Sequence, residues 1–507
     1  MSPRHLLGFL ALFLLHGLAC EEAGLCHHEQ GDDMGATHEP LRRVVDLHVG
    51  EAVNVTLANG EDVRVQLLDL QEKADTLRGA VQARVKVRVR DQEAWLPSAN
   101  YHLPQTVSGV QVDCPITKGY YRNTGQDSWG LEKDARLRLW PAGSPWIEPG
   151  TYTYPAKQRW FATNTQMANE PAFVDITPDV SKERIYYHDQ LDIGGTEGMV
   201  DVVAAADGVV IVRGEQARGD ISSFGYKPRY DRVAVLDDRG WLHVYSHLRS
   251  IDSAIEVGKR VAQGDPVGVL GKEGDSGGWA HLHYGIMARQ PSGKWGTEEG
   301  YAYLWEAYQR EHKPPVLAVA RPHHLVMPGE RVVLDGSRSW AADRPIQRYE
   351  WTLSGGSTAA GPRVERRYEK GGVYSEILKV TDSSGNLDYD FAVVQVFDAE
   401  RGKMPPGIHA SYAPTFGIKP GDAVTLAVRC FNTLDGAAVW DFGDGSPTVT
   451  VVCNPVGPDG SGPQAPDGYA LTEHRYSRPG HYVARVEHVE GTGIKSTARL
   501  QVRVGLD

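Results

Sequence analysis

The stretch Gly274-Asp-Ser-Gly-Gly-Trp-Ala-His-Leu-His-Tyr284 places two histidines, His281 and His283, two residues apart after a glycine-rich run. Alternate side chains of a β-strand point to the same face, so a strand here would direct both imidazoles into one site. The glycines before His281 are typical of a turn that leads into such a strand. We therefore predict a strand at His281 and a functional site on the face that the two histidines share.

Three more side chains with metal-binding chemistry precede this stretch. His188-Asp-Gln-Leu-Asp192 is an HxxxD motif, and Tyr245-Ser-His247-Leu248 lies between it and the HxH motif. Neutral imidazole and carboxylate are typical zinc ligands, and a catalytic zinc site has three protein ligands and a position for water. The sequence contains no HExxH motif, so no helical glutamate can act as the base and a histidine must do so. Together these residues predict a catalytic zinc site.

Residues 188–287 resemble the LytM/lysostaphin-type zinc endopeptidases, a likeness that covers about a fifth of the chain. Five motifs match in order, and they are His188…Asp192, Val203-Ala-Ala-Ala-Asp-Gly-Val-Val210, Tyr245-Ser-His-Leu248, Val257-Gly-Lys-Arg-Val-Ala-Gln-Gly-Asp-Pro-Val-Gly268 and Gly274–Tyr284. The resemblance implies that His188, Asp192 and His283 bind one zinc ion, and that His247 and His281 are the catalytic pair. It also implies hydrolysis of peptide bonds in bacterial cell-wall peptidoglycan, in stem cross-links or bridges.

Two alternatives compete with this interpretation. Gly274-Asp-Ser-Gly-Gly278 reproduces the nucleophile loop of chymotrypsin-like serine proteases, but the Ala-Ala-His-Cys type of segment that this mechanism needs upstream is missing. We therefore expect Ser276 to be structural. The other alternative is a latent or non-catalytic LytM-like protein that binds the wall and activates other hydrolases. Retention of all five site residues favours the enzyme.

The N-terminus has the pattern of an export signal. A short basic region, Arg4-His5, precedes the apolar run Leu6–Leu15, which is too short to span a bilayer. Gly17-Leu18-Ala19-Cys20 resembles a bacterial lipobox, although Gly17 stands where that pattern prefers an aliphatic residue. We expect a signal peptide over residues 1–19, a lipid on Cys20, and a location in the cell envelope or outside the cell.

The cysteine count agrees with lipidation. The sequence has five cysteines, and four remain if Cys20 is lipidated. An even number can pair in an oxidising compartment. Cys430 and Cys453 are expected to pair because both lie in one late segment, which leaves Cys26 with Cys114.

The segments before the site alternate in polarity. Residues 20–43 are predicted to be a polar linker, and residues 44–170 a β-rich domain. Val53–Leu57 and Val63–Leu67 flank Asn59-Gly60, which predicts a hairpin with a type I′ turn. Ala83–Arg90 (ARVKVRVR) and Ala135–Trp140 (ARLRLW) alternate strictly and predict half-buried strands.

The segments after the site repeat. Pro328-Gly-Glu330 recurs at Pro420-Gly-Asp422, and Tyr349-Glu-Trp351 matches Ala438-Val-Trp440. Cys453–Tyr469 is an inserted loop in the second copy. Trp440-Asp-Phe-Gly-Asp-Gly445 with Pro479-Gly-His-Tyr482 resembles PKD domains, and the first copy resembles them less closely. Residues 313–400 and 404–507 are therefore predicted to be two tandem Ig-like, PKD-like β-sandwiches, whose ligand would be a polysaccharide or a protein.

Composition restricts the partners. With 53 basic and 65 acidic residues the net charge is −12, so the overall charge of the protein does not attract nucleic acid or an anionic membrane. We expect no nucleic-acid partner, and membrane attachment only through the N-terminal lipid. The expected fold is mainly β, with an N-terminal β domain, an antiparallel β-sheet peptidase domain with an open groove over residues 171–312, and the two sandwiches.

Overall fold

Strands make up nearly all of the regular structure, as the alternating segments predict. The computed structural model describes residues 37–75, 79–121, 127–173, 185–398, 402 and 404–506, which belong to one compact unit. These described residues form 37 strands and one α-helix. The prediction of a mainly β fold is confirmed. The predicted signal peptide, Cys20 and Cys26 lie outside the described residues.

The N-terminal domain consists of two four-stranded sheets around a core of alternating valines and leucines. The sheets have the orders β1-β8-β7-β6 and β2-β3-β4-β5. Their strands are β1 (Arg43–Leu47), β2 (Ala52–Thr56), β3 (Asp62–Asp75), β4 (Gly79–Val89), β5 (Gln92–Pro97), β6 (Gln105–Val107), β7 (Val110–Thr117) and β8 (Ala135–Pro141).

The predicted hairpin lies between β2 and β3, but its turn is not of type I′. The Gly60 N–H donates to the Leu57 carbonyl, and the Leu57 N–H donates to the Glu61 carbonyl. Gly60 has φ +83, whereas Asn59 is not among the described residues with positive φ. A type I′ turn needs positive φ at both central residues, so this is a longer turn that ends in a left-handed glycine.

The prediction of a half-buried strand at residues 135–140 is wrong, because every residue of β8 is buried. Arg136 forms an ion pair with Asp46, and Arg138 forms one with Asp113. Arg138 also contacts Glu298 at 2.9 Å, beyond the N-terminal domain. The arginines therefore face acidic partners and not solvent.

The domain predicted over residues 171–312 has one large antiparallel sheet of order β11-β20-β16-β15-β13-β14, with β18 beside β13 and β21 beside β20. A smaller sheet has the order β12-β19-β17, and β9 pairs with β10. The elements are β9 (Glu170–Phe173), β10 (Ile185–His188), β11 (Leu191–Gly194), β12 (Asp201–Val203), β13 (Gly208–Arg213), β14 (Gln216–Ala217), β15 (Val233–Asp237), β16 (Leu242–Ser246), β17 (Leu248–Ile251), β18 (Arg260–Val261), β19 (Pro266–Leu270), β20 (His281–Arg289), β21 (Trp295–Glu298) and helix α1 (Tyr301–His312).

The segment before this domain packs into its core. Tyr152, Tyr154 and Trp160 belong to the same buried cluster as Tyr245 and residues of α1. The rings of Trp160 and Trp305 meet edge to face, with centroids 5.4 Å apart. The packed core therefore continues across residue 170, where the sequence predicts a domain boundary.

The C-terminal half forms two sandwiches with equivalent buried tryptophans, Trp351 and Trp440. A parallel pairing of β29 with β37 joins them, so that one sheet runs β23-β30-β29-β37-β36-β33-β34. The strands of the first sandwich are β22 (Val316–Leu317), β23 (His324–Val326), β24 (Arg331–Asp335), β25 (Trp340–Ala341), β26 (Ile346–Thr352), β27 (Thr358–Ala360), β28 (Arg363–Arg367), β29 (Gly372–Asp382) and β30 (Leu387–Val396). Those of the second sandwich are β31 (Gly407–Ala413), β32 (Val424–Phe431), β33 (Ala437–Asp441), β34 (Val449–Val452), β35 (Ala470–His474), β36 (Gly480–Val489) and β37 (Lys495–Val504).

The predicted cysteine partners of the second sandwich are neighbours. Cys430 and Cys453 are both buried thiols, and the Cys430 N–H donates to the Cys453 sulfur at 3.2 Å. Their disulfide stays a prediction. Cys114 is a buried thiol, and its predicted partner lies outside the described part of the chain.

Within the part of the chain that the structure describes, no helix combines the length and the apolar character that crossing a membrane requires.

Candidate active site

Three adjacent antiparallel strands position the site. β20 lies between β11 and β16, and His283 is in register with Asp192 on one side and Ser246 on the other. His281 and His283 alternate along β20, as the sequence predicts. His188 ends β10, and the short turn after it returns the chain to Asp192 through Gln190, which has φ +81.

His188, Asp192 and His283 form one candidate metal-binding cluster, with one ligand atom from each residue within 4.8 Å of the others. The His188 Nε2 lies 3.1 Å from Asp192 Oδ2, and the His283 Nδ1 lies 2.8 Å from Asp192 Oδ1. The side chains of Asp192 and His283 are 19% and 21% exposed, so the cluster is open on one side. This donor set fits a zinc ion, which prefers imidazole and carboxylate ligands.

The electrostatics match a site that holds a cation. Burial disfavours charge on His188, but the Asp192 carboxylate outweighs it and raises the pKa of His188 to about 9. Burial also disfavours the charged form of Asp192, yet His188 and His281 hold its pKa well below the usual range. Burial lowers the pKa of His281 to about 3 and also lowers that of His283. The carboxylate is therefore ionised, His188 carries the compensating positive charge, and the imidazoles of His281 and His283 are neutral.

His247 and His281 lie on the other side of His283. Their ring centroids are 4.7 Å apart, and the ring of His247 is 5.7 Å from that of His283. The Nδ1 of His281 donates to the Trp279 carbonyl at 3.0 Å, and the Nδ1 of His247 donates to the Glu273 carbonyl at 2.6 Å. In a neutral imidazole, an Nδ1 that donates in this way leaves the lone pair on Nε2. His281 Nε2 lies 3.3 Å from Asp192 Oδ1.

His247, His281 and His283 satisfy the same 4.8 Å criterion, so the geometry contains two overlapping donor sets with His283 in common. The structure thus brings all five predicted residues together. Geometry alone does not distinguish the metal ligands from the catalytic pair, and these assignments stay predictions.

Sequence reasoning missed the residues that hold His247. This histidine follows the end of β16 in a left-handed conformation, with φ +67. Its backbone N–H donates to Asp231 Oδ2 at 2.8 Å, and Arg229 forms an ion pair with the same carboxylate. Burial opposes ionisation of Asp231, but the His247 and Arg229 hydrogen bonds outweigh it and lower its pKa. No motif in the sequence marks Asp231.

Two further polar residues of this domain, His243 and Ser276, do not belong to either donor set. His243 is fully buried, with Nε2 3.0 Å from Asp237 Oδ2 and Nδ1 2.8 Å from the Tyr284 hydroxyl, so it belongs to the core. The Ser276 hydroxyl donates to the Lys272 carbonyl and accepts from the Gly278 N–H at 3.1 Å. Both bonds lie within its own loop.

Two segments of the chain match known families. Residues 186–294 match peptidase family M23, and residues 312–396 match the PKD domain. The second match falls on the sandwich that resembles PKD domains less closely by its signature residues.

Individual relatives match shorter parts. The chain is 38% identical over 103 residues to the dyslexia-associated protein KIAA0319 of Homo sapiens. The aligned segment covers 18% of this chain and 10% of that protein. It is 35% identical over 124 residues to the Mus musculus homolog, covering 22% of this chain and 11% of that one. The chain thus spans about a tenth of the length of these curated relatives.

Solved structures include similar domains. A LytM of Ruminococcus gnavus is 23% identical and has a TM-score of 0.21, covering 31% of this chain and 61% of that one. The catalytic domain of lysostaphin from Staphylococcus simulans is 21% identical and has a TM-score of 0.18, covering 24% of this chain and 80% of that one.

Proposed function

We propose, from the premise that residues 186–294 form a domain of peptidase family M23, that this chain is a zinc-dependent endopeptidase of bacterial cell-wall peptidoglycan. The observation that supports the proposal best is the convergence of five side chains on one site. Asp192 and His283 are in register there, with His188, His247 and His281 around them.

The metal ligands in this proposal are His188, Asp192 and His283. Their donor atoms are those that zinc prefers, and two of the three side chains are partly open to solvent, which leaves room for water or substrate. Zinc bound there would supply a Lewis acid for the scissile carbonyl and an acidified water as nucleophile.

His247 and His281 transfer the proton of the nucleophilic water in this proposal. In its neutral form each ring presents an Nε2 lone pair, because its Nδ1 donates to a fixed backbone carbonyl. An imidazole held in this way can accept the proton of the nucleophile and pass it to the leaving amine. The other imidazole, when protonated at Nε2, can donate to the oxyanion that develops on the carbonyl.

The substrate and the location are further parts of the proposal. The bonds cleaved would lie in the stem cross-links or bridges of peptidoglycan, and the enzyme would be exported, with lipid on Cys20 as its only membrane attachment. The sandwiches would bind a polysaccharide or a protein near the substrate. The family match supports the peptidase, and the N-terminal sequence pattern supports export.

Digestion of purified sacculi by the full-length zinc-loaded protein tests the proposal. Mass spectrometry of the released muropeptides should show newly cleaved peptide bonds with the wild type and none with Asp192→Ala. A wild-type protein that carries stoichiometric zinc and cleaves no bond would contradict the proposal and favour a regulatory, wall-binding role.

A further inference from the structure

The loop that leads into His281 is held by the C-terminal sandwich. This segment, residues 272–280, connects β19 to β20 within the peptidase domain. The Ala280 N–H donates to the Tyr469 hydroxyl at 2.9 Å, and the Gly274 carbonyl accepts from Gln464 Nε2 at 2.9 Å. Tyr469 and Gln464 both belong to the inserted loop Cys453–Tyr469 of the second sandwich.

Two further contacts join the same segments. The indole of Trp279 stacks on the ring of Phe431, with centroids 3.8 Å apart and planes 2° from parallel. The guanidinium of Arg429, a fully buried residue, donates to the Gly278 carbonyl at 3.0 Å and to the Pro463 carbonyl at 3.1 Å. Arg429 therefore connects the inserted loop with the peptidase loop.

Gly278 shows how closely the two segments approach. It has φ +82, and a Cβ there would lie 2.8 Å from Arg429 Nη1 and 2.9 Å from the Pro463 carbonyl oxygen. No other residue type fits this conformation and this spacing. The glycine-rich run before His281 thus makes a turn and also allows the second sandwich to pack closely against it.

Tyr469 is itself fixed by a buried histidine. Its hydroxyl lies 2.9 Å from His409 Nδ1, and His409 Nε2 lies 2.8 Å from Thr165 Oγ1. His409 is fully buried, and burial lowers its pKa to about 3, so the ring is neutral and bonds through both nitrogens. The hydrogen bonds therefore run from Thr165, in the segment before the peptidase domain, through the second sandwich to Ala280.

These contacts act on both residues that precede His281. The Trp279 carbonyl accepts from His281 Nδ1 at 3.0 Å and so sets the orientation of that imidazole, while Ala280 is bonded to Tyr469. We propose that the second sandwich is a working part of the peptidase, in which Tyr469, Arg429 and Phe431 are positioning residues that fix the 272–280 loop and the His281 ring. This inference rests on the proposed function.

Tyr469→Phe in the full-length protein tests the inference. Loss of the hydroxyl should accelerate amide exchange in residues 272–281 and lower kcat by roughly 10-fold or more, because small misplacements of a catalytic group are costly. KM and zinc content should change little. The matched control is Tyr412→Phe, whose buried hydroxyl donates to the Gln501 carbonyl at 2.6 Å inside the same sandwich. The control should leave loop exchange and kcat at wild-type values.

Phe431→Ala provides a second variant, which removes the stacking on Trp279 and should act in the same direction. Unchanged exchange and unchanged kcat in both Tyr469→Phe and Phe431→Ala would overturn the inference, and so would an equal effect of Tyr412→Phe. If the wild type proves to have no peptidase activity, the proposed function fails, and loop exchange still decides whether the sandwich holds the loop.

Discussion

Asp192 makes more contacts within the site than any other carboxylate among the described residues. Its oxygens lie 3.1 Å from His188 Nε2, 2.8 Å from His283 Nδ1 and 3.3 Å from His281 Nε2. Strand alternation was sufficient to predict that both histidines of HxH share one face, and the likeness to LytM/lysostaphin-type enzymes predicted that HxxxD joins them. Spacing could not separate the two donor sets, since His283 belongs to both.

His247 shows what sequence could not supply. A left-handed conformation is unfavourable for a histidine, and it is held here by Asp231 and by the Glu273 carbonyl, which lie 16 residues before it and 26 residues after it. Neither partner is marked by spacing or residue pattern. Only the packed fold brings them to the end of β16.

Ser276 provides the first test at this scale. Ser276→Ala should keep its zinc and lower peptidase activity no further than Tyr469→Phe does, because both hydrogen bonds of the hydroxyl stay within the 272–280 loop and none involves a site histidine. Steady-state cleavage rates measure this. A loss of several orders of magnitude with zinc still bound would revive the serine mechanism.

At the scale of elements, β8 shows how an alternating pattern can mislead. Its arginines occupy the positions that solvent-facing residues usually take, but Arg138 lies between Asp113 and Glu298 and is 1% exposed. The alternation of polar and apolar residues identified the strand correctly. The burial of its polar face depends on acidic residues from β7 and β21, which no local pattern reveals.

Glu298 is the shared acid of this contact and provides a second test. It pairs with Arg42 at 2.7 Å and with Arg138 at 2.9 Å. Glu298→Gln should lower the free energy of unfolding by about 3–5 kcal/mol, because it leaves the buried guanidinium of Arg42 without its counter-charge and Arg138 with Asp113 alone. The exposed pair Arg331–Glu365 offers the control, and Glu365→Gln should cost at most ~1 kcal/mol. Equal losses by chemical denaturation would contradict the account.

The ion pairs of Glu298 also predict how the stability of the protein depends on pH. Burial alone would raise the pKa of Glu298, but Arg42 and Arg138 outweigh it and lower the pKa from 4.5 to about 2. The unfolded chain therefore binds this proton more readily, so the contribution of Glu298 is complete above pH 4.5 and is lost as the pH falls toward 2. Glu298→Gln should flatten the fall in stability over that range. An unchanged acid profile would count against the ion pair.

At the scale of the whole molecule, the sequence domains are not independent packing units. Trp160, from the segment before residue 171, lies in the core of the peptidase domain, and Arg42, placed by sequence in a polar linker, is buried against Glu298. The second sandwich contacts the loop before His281. Repeats and motifs allowed the order of domains to be predicted, but contacts between distant segments have no local signature.

An isolated fragment of residues 171–312 should therefore fail to fold cooperatively. It lacks both arginine partners of Glu298 and the aromatic side chains of residues 152–160 that fill its core. Calorimetry should show no cooperative transition for the fragment and a clear one for residues 37–507. A fragment with a sharp transition and native circular dichroism would show that these contacts are dispensable.

Zinc content and cleavage rate, measured on the same five alanine variants of the full-length protein, separate the metal ligands from the catalytic pair. His188→Ala, Asp192→Ala and His283→Ala should lose most of their zinc together with activity, because two remaining ligands hold the ion poorly. His247→Ala and His281→Ala should keep near-stoichiometric zinc and lose roughly 10²–10⁴-fold in rate, the scale of a positioned acid–base group. If His247→Ala and His281→Ala lose the metal while His188→Ala and Asp192→Ala keep it, the other donor set binds zinc and the assignment is contradicted.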